Sequence, residues 1–471
     1  MSELYQHQRE ALEAILSSYE DGRIVIPTGG GKTRIESNTL RESLNNTDPS
    51  QIYLVLAPRI GLANQLMREY RSDIGQQSYR AVAFHSGRAE QDYNLVNKWS
   101  ETSTTNPFII KDEHKKAKKN GMHLVVFSTY HSSCKLLENF KFELVIADES
   151  QYCVAENFHN CVLGLNAHRK LYFTATEKHT PTDEGRGLNN TDKFGDVLYQ
   201  ESPQVLIDRG IIVAPRLHVM SGTKGNDDDT TVDEIKHIAR YQMSLSSHMP
   251  TIKILFACAN TSDVVKVIES MKEFKKEFPE YKVFTIVSNG EYGSMIDGVK
   301  VDREQWMEEL RNSKHALIFH YDILSEGIDV DGITGVAIMR NMHHAKLLQT
   351  IGRGCRVLKE DRGRAMEDRL KKYNYISVCS INGDDETSDN VSRTLEAIIE
   401  GGFDVNVEEV EFTNNEDGGI APPNALDDVE KIDRNAHAKK HLQNVKHEIE
   451  KGKELLALKE LPFEELMKKV A

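Results

Sequence analysis

Residues 24 to 33 read I-V-I-P-T-G-G-G-K-T. A short apolar run, Ile24 to Ile26, ends at Pro27. Thr28, Gly29, Gly30 and Gly31 follow, and Lys32-Thr33 stand where a helix can begin. Glycines let backbone N–H groups turn toward an anion, and a helix N-terminus adds positive potential. The chemistry expected is phosphate binding. Lys32 reaches the β- and γ-phosphates of ATP, and the Thr33 hydroxyl ligates Mg²⁺. The spacing departs from Gly-x4-Gly-Lys-Thr, because Ile26 occupies the first glycine position and Pro27 a small-residue slot.

Two further groups could act on the same ligand. Residues 144 to 151 read L-V-I-A-D-E-S-Q, an apolar strand that delivers two adjacent carboxylates. Asp148 is expected to hold Mg²⁺ through its water shell, and Glu149 to polarise an attacking water. Residues 349 to 356 read Q-T-I-G-R-G-C-R, with Arg353 and Arg356 three apart. On a helix they would share a face, and two guanidiniums can grip a γ-phosphate as arginine fingers.

These groups need strand ends to hold them. Apolar strand-like runs at 23–27, 52–57, 123–128, 143–147 and 170–174 alternate with helix-like segments. After a Pro/Gly-containing passage near 203–215 the pattern resumes at 216–220, 252–257, 282–287, 316–320, 335–339 and 375–379. Buried parallel strands give such runs. Two successive sets predict two α/β domains, spanning 1–208 and 209–385, followed by an acidic linker and helical tail over 386–471. Residues 86–120 interrupt the alternation, are rich in lysine toward their end, and are expected to form a solvated surface insertion.

Charge and cysteine content narrow the class. Residues 381 to 433 hold 16 Asp/Glu against Arg393 and Lys431, which accounts for the net charge of −14. The remainder is near neutral, so the acidic total does not argue against a nucleic-acid ligand. No apolar run approaches the ~20 residues of a membrane span. The six cysteines form no CxxC pair, which predicts reduced, mostly buried thiols and a soluble, intracellular protein, in cytoplasm or nucleus or of viral or phage origin. His343-His344 and the His437/His441 pair lack carboxylate or cysteine partners at metal-binding spacing, so they are read as non-ligands.

Taken in order over roughly residues 4 to 380, these elements resemble the superfamily 2 helicases, with D-E-S-Q in place of D-E-A-D or D-E-x-H. The wording is nearest the branch of restriction-enzyme motors, excision-repair helicases and phage recombination helicases. The resemblance implies two tandem RecA-like domains with ATP and Mg²⁺ between them. It assigns Gln8, within L-Y-Q-H-Q, to adenine. It assigns Pro58, Arg59, Ser128 and Thr129 to the nucleic-acid backbone. It makes Thr174 and Thr176, within F-T-A-T, the coupling element between domains. Gly327 and Asp329, within D-I-L-S-E-G-I-D, face the nucleotide. Gln349 joins Arg353 and Arg356 in the last motif. An ATP-dependent helicase or translocase follows, with DNA favoured over RNA and with protein partners accommodated by the acidic and helical C-terminal region. The alternatives are an RNA helicase, the motor subunit of a larger nuclease or repair assembly, and an inactive scaffold. The intact lysine, acids and arginines oppose the last.

Overall fold

The computed structural model describes residues 4–411 apart from 47, 49, 76–78, 88–101, 138, 181–184, 224–229, 288–291, 322–329, 341, 343, 383–384 and 404–405. The chain divides into two compact units, Met1–Ser202 and Pro203–Ala471.

In the first unit the strands are β1 Gly22–Val25, β2 Ile52–Ala57, β3 Tyr79–Phe84, β4 Thr102–Thr104, β5 His123–Thr129, β6 Phe142–Ala147, β7 Ala167–Thr174 and β8 Asp196–Gln200. They form one sheet in the order β4-β3-β5-β2-β6-β7-β1-β8. Every pairing among them is parallel. The reason lies in the side chains. Ile52–Ala57 and His123–Thr129 are buried along their whole length, so both faces must be covered, and helices cover them. One face packs Ile24, Val55, Ile146 and Phe173 against helix residues Ile35, Leu40 and Leu66. The other packs Leu54, Val126 and Tyr172 beneath Tyr130, Val162 and Phe194. Each such buried aliphatic or aromatic side chain contributes roughly 1.5–3 kcal/mol.

The second unit contains β9 Ala214–Thr223, β10 Ile252–Ala257, β11 Lys282–Ile286, β12 Ser294–Ile296, β13 Val299–Val301, β14 His315–His320, β15 Ile333–Ile338, β16 Tyr373–Asn382 and β17 Asn406–Glu411. Their order is β13-β12-β11-β14-β10-β15-β16-β9-β17. The pairings are parallel except for the antiparallel edge β11-β12-β13.

Three expectations change. The insertion over 86–120 is not a plain loop, because β4 and a helix, Pro107–Lys119, lie within it. Ile110, Glu113 and Ala117 are buried and anchor the helix, which explains why its lysines alone misled. The boundary expected at 385/386 falls instead at the start of a helix, Asp385–Glu400, that belongs to the second unit. Val391, Leu395 and Ile398 recur at helical spacing and join the core, and β17 pairs with β9. The acidic character of this stretch hid that pattern. The expected tail beyond 411 lies outside the described residues. Finally, the cysteines are not all thiols. Cys134 and Cys161 form a disulfide with Cα atoms 4.9 Å apart, while Cys153, Cys258, Cys355 and Cys379 are free and buried. Spacing in sequence could not show that the two helices bearing Cys134 and Cys161 lie side by side.

Candidate nucleotide site and arginine segment

Because the first sheet is parallel, its strands end along one edge. There the loop 26–31 follows β1, Pro58 follows β2, and Asp148 follows β6. Thr129 and Thr174 close β5 and β7. Strands β6, β7 and β1 are neighbours, so the acidic pair, Thr174 and the glycine loop stand in a row. Ligands of open parallel sheets bind at this edge.

The loop is braced from below. Gly29 and Gly31 take φ values of 90° and 81°, the left-handed region that side-chain-bearing residues avoid. A Cβ on Gly31 would also sit 2.4 Å from Gln8 Nε2. His7 Nε2 donates to Gly30 O at 2.7 Å, and Gln8 Nε2 donates to the same oxygen at 3.3 Å. The Tyr5 N–H in turn donates to Gln8 Oε1 at 3.0 Å. His7 is fully buried, and its role was not foreseen from sequence. Its position beside Gln8 on the first turn of a helix was the available signal. Lys32 and Thr33 open the helix Lys32–Asn46.

The acidic pair is held by the chain around it. Asp148 N–H donates to Leu56 O, and Asp148 Oδ1 accepts from Glu149 N–H at 2.9 Å. Glu149 has φ 52°, a left-handed conformation costing a non-glycine residue about 1–2 kcal/mol. Such strain persists where the surroundings fix it, often at functional sites. Gln151 Nε2 donates to Glu149 Oε2 at 3.0 Å, and Gln151 Oε1 lies 2.8 Å from the Thr174 hydroxyl, which donates to it. Thr174 Oγ1 also lies 2.7 Å from Thr176 O and accepts from Thr176 N–H at 3.1 Å. A continuous hydrogen-bonded path therefore runs from Glu149 through Gln151 to Thr174 and Thr176.

A second buried carboxyl stands behind Asp148. Glu36, on the helix that Lys32 opens, is fully buried and accepts from the Tyr70 hydroxyl at 3.0 Å. Burial, and then the charge of Asp148, raise its pKa well above the usual carboxylate range. Burial and then Glu149 raise that of Asp148, while Lys32 opposes the rise. Two desolvated carboxyls so placed share protons more readily than they both ionise. Glu36 was missed because a lone glutamate in a polar helix carries no signal.

Asp148 and Thr33 offer hard oxygen donors, suited to Mg²⁺, beside a cationic lysine. The chemistry of the donor set fits that ion.

The residues assigned to the nucleic-acid backbone divide. Arg59 is exposed at the start of the helix Ile60–Ile74, and Pro58 is half-buried. Ser128 is completely buried, with its hydroxyl 3.0 Å from Phe84 O, so its side chain serves the interior and not a phosphate. Thr129 caps the short helix Tyr130–Ser133, accepting from Ser132 N–H at 3.2 Å.

In the second unit the helix His344–Gly354 carries Gln349, which is buried, and Arg353, which is half-buried. Arg356 does not share a helical face with Arg353. The helix ends at Gly354, and Arg356 pairs as an antiparallel bridge with Ile212. The three-residue spacing held its helical meaning only as far as the helix ran. Gly327 and Asp329 lie outside the described residues.

Residues 1–179 match the family model described as "Type III restriction enzyme, res subunit". No curated protein matches the chain. Among solved structures, the Type ISP restriction-modification enzyme LlaBIII bound to DNA is 15% identical, with TM-score 0.64 over 88% of this chain and 32% of its own. The Type ISP enzyme LlaGI, with a DNA substrate mimic, is 17% identical, with TM-score 0.60 over 86% and 30%. The DEAD-box helicase Mss116, bound to ssRNA and UDP-BeF, is 15% identical, with TM-score 0.55 over 87% and 76%. The chain thus spans about a third of the length of the two Type ISP enzymes.

In fold, the chain is similar to these Type ISP and DEAD-box helicase structures, with two successive α/β units whose sheets are largely parallel. Its N-terminal region is similar to the res subunit of Type III restriction enzymes.

Proposed function

We propose that the chain is a nucleic-acid-stimulated ATPase that moves along DNA. The path Glu149–Gln151–Thr174–Thr176 carries this reading, because it ties the water-activating carboxylate to the strand end expected to couple hydrolysis to movement. The glycine loop and Lys32 bind the phosphates, and Thr33 and Asp148 hold Mg²⁺. When bound, that ion neutralises phosphate charge. Glu149 draws the proton from the attacking water. Arg353 and Arg356 act on the γ-phosphate. Gln8 keeps one amide proton beyond the one given to Gly30 O, which suits an adenine ring nitrogen. Arg59 and the backbone at Thr129 contact phosphates, so binding is largely independent of sequence.

DNA is favoured over RNA on two grounds: the family match to a restriction-enzyme subunit and the higher TM-scores to DNA-bound Type ISP enzymes. Steady-state ATPase with single-stranded DNA, duplex DNA and RNA tests this. Stimulation by RNA alone would overturn the choice of DNA. The length ratio to those enzymes supports a second reading, a motor that works within a larger nuclease assembly. Strand displacement or translocation by the chain on its own would argue against that reading.

A further inference from the structure

The segment bearing the two arginines is held by a buried lysine that the reaction scheme above does not use. Lys371 has no exposed surface. Its ammonium donates to three backbone carbonyls: Ile333 O at 2.6 Å, Arg356 O at 2.8 Å, and Gly354 O in a shorter contact. Two of the three belong to the arginine segment. The last carbonyls of a helix have no partner within it, and here a second side chain takes another. Asn374 Nδ2 donates to Ile351 O at 2.9 Å. Gly354 allows that approach, since a Cβ there would lie 2.1 Å from Asn374 Oδ1. Val213 N–H donates to Cys355 O at 2.8 Å. Lys371 is itself fixed. Its own N–H and that of Leu370 donate to the two carboxylate oxygens of the buried Asp361, each at 2.8 Å.

Stability alone does not call for this arrangement. Burying an ammonium is expensive, and a solvated or glycine-capped end would close the helix without one. What the ammonium adds is a fixed path for the backbone between Arg353 and Arg356, where the helix has ended and no ladder continues. We propose that Lys371, with Asn374 beside it, is a positioning residue that sets the two arginines for γ-phosphate transfer. The proposal rests on the reading of those arginines as acting on ATP.

The test uses the full chain, steady-state ATPase with saturating nucleic acid, and thermal unfolding to confirm folding. Arg353→Ala/Arg356→Ala is the reference and should lower kcat by roughly 10³-fold or more. Lys371→Met should lower kcat by roughly 10²-fold, the scale of an ångström misplacement, and leave the KM for ATP within about threefold. Asn374→Ala, a milder change at the same segment, should lower kcat several-fold with the same unchanged KM. It decides the matter if Lys371→Met does not fold. Neither substitution should lower the residual rate further when added to the arginine-less background, because a residue acting through the arginines has nothing left to position. Wild-type kcat in both single variants overturns the inference alone, as does an equal proportional loss with and without the arginines. A reference variant with wild-type kcat would overturn the reading of the arginines and this inference together.

Discussion

The edge of the first sheet and the arginine segment of the second unit hold their reactive groups in different ways. In the first unit the groups lie at or just past the ends of adjacent parallel strands, and hydrogen bonds both between near neighbours and across the sheet edge hold them. Glu149 N–H meets the Asp148 carboxylate, and Gln151 meets Glu149 two residues on. In the second unit Gln349 and Arg353 stand on a helix, while Arg356 lies beyond its end and is fixed by Ile212 and Lys371. A site assembled at strand ends is rigid through the sheet. A segment beyond a helix end is rigid only if something takes its orphaned carbonyls. The first arrangement is read easily from a motif, and the second is not.

Substitutions can break or sharpen that contrast. The largest effect is expected at Lys32→Ala, which removes the loop's cation. Hydrolysis should fall to background and ATP binding should weaken in a filter or fluorescence titration. Turnover within a few-fold of wild type would remove the nucleotide from this edge.

Glu149→Gln comes next. The amide preserves shape and the bond to Gln151 but cannot take a proton, so ATP binding should persist while kcat drops by roughly 10²–10⁴-fold. A loss of ATP affinity equal to that of Lys32→Ala would assign Glu149 another role.

Thr174→Val probes the path between strand ends. It leaves Gln151 Oε1 without its donor, which costs about 1–3 kcal/mol in a buried setting. The stimulated rate should fall more than the basal rate, with ATP affinity unchanged. A variant whose stimulation ratio equals that of wild type would show that the path is only structural.

The smallest effect on activity is expected at His218, on β9 of the second unit. It is buried, with Nδ1 2.8 Å from the Tyr241 hydroxyl. Burial, and then Arg216, push its pKa down from 6.5 to about 4. A depressed histidine is neutral in the fold and charged in the unfolded chain below pH 6.5. Its contribution is therefore intact above that pH and lost as pH falls toward 4. The loss amounts to at most about 3 kcal/mol, taking 1.36 kcal/mol per unit. Calorimetry from pH 7 to 4.5 should show a shallower fall in Tm for His218→Gln than for wild type. Parallel curves would mean that other groups set the acid limit.

Much of this molecule is legible along the chain. The apolar runs foretold β1, β2 and β5 to β7, and six strands of the second sheet, because a strand buried on both faces leaves a continuous apolar stretch. The edge elements escaped that reading. β8 is largely exposed, and β12 and β13 are three residues each, too short to leave a pattern. The glycine loop and the D-E-S-Q box were visible because each is formed by residues adjacent in sequence, where backbone geometry ties type and spacing to local structure.

Other features were decided only when distant segments met. His7 braces a loop 23 positions away, Glu36 faces Asp148 from another element, and Lys371 closes a helix end 17 positions earlier. Ser128 has the motif's residue type, yet its burial turns the hydroxyl inward. Cys134 and Cys161 pair across 27 residues. Sequence alone determined on what kind of sheet this protein carries its glycine loop and acidic pair. The tertiary structure decided which of those groups are desolvated, braced or withdrawn, because burial and hydrogen-bond partners depend on the packing of segments whose separation no local spacing encodes.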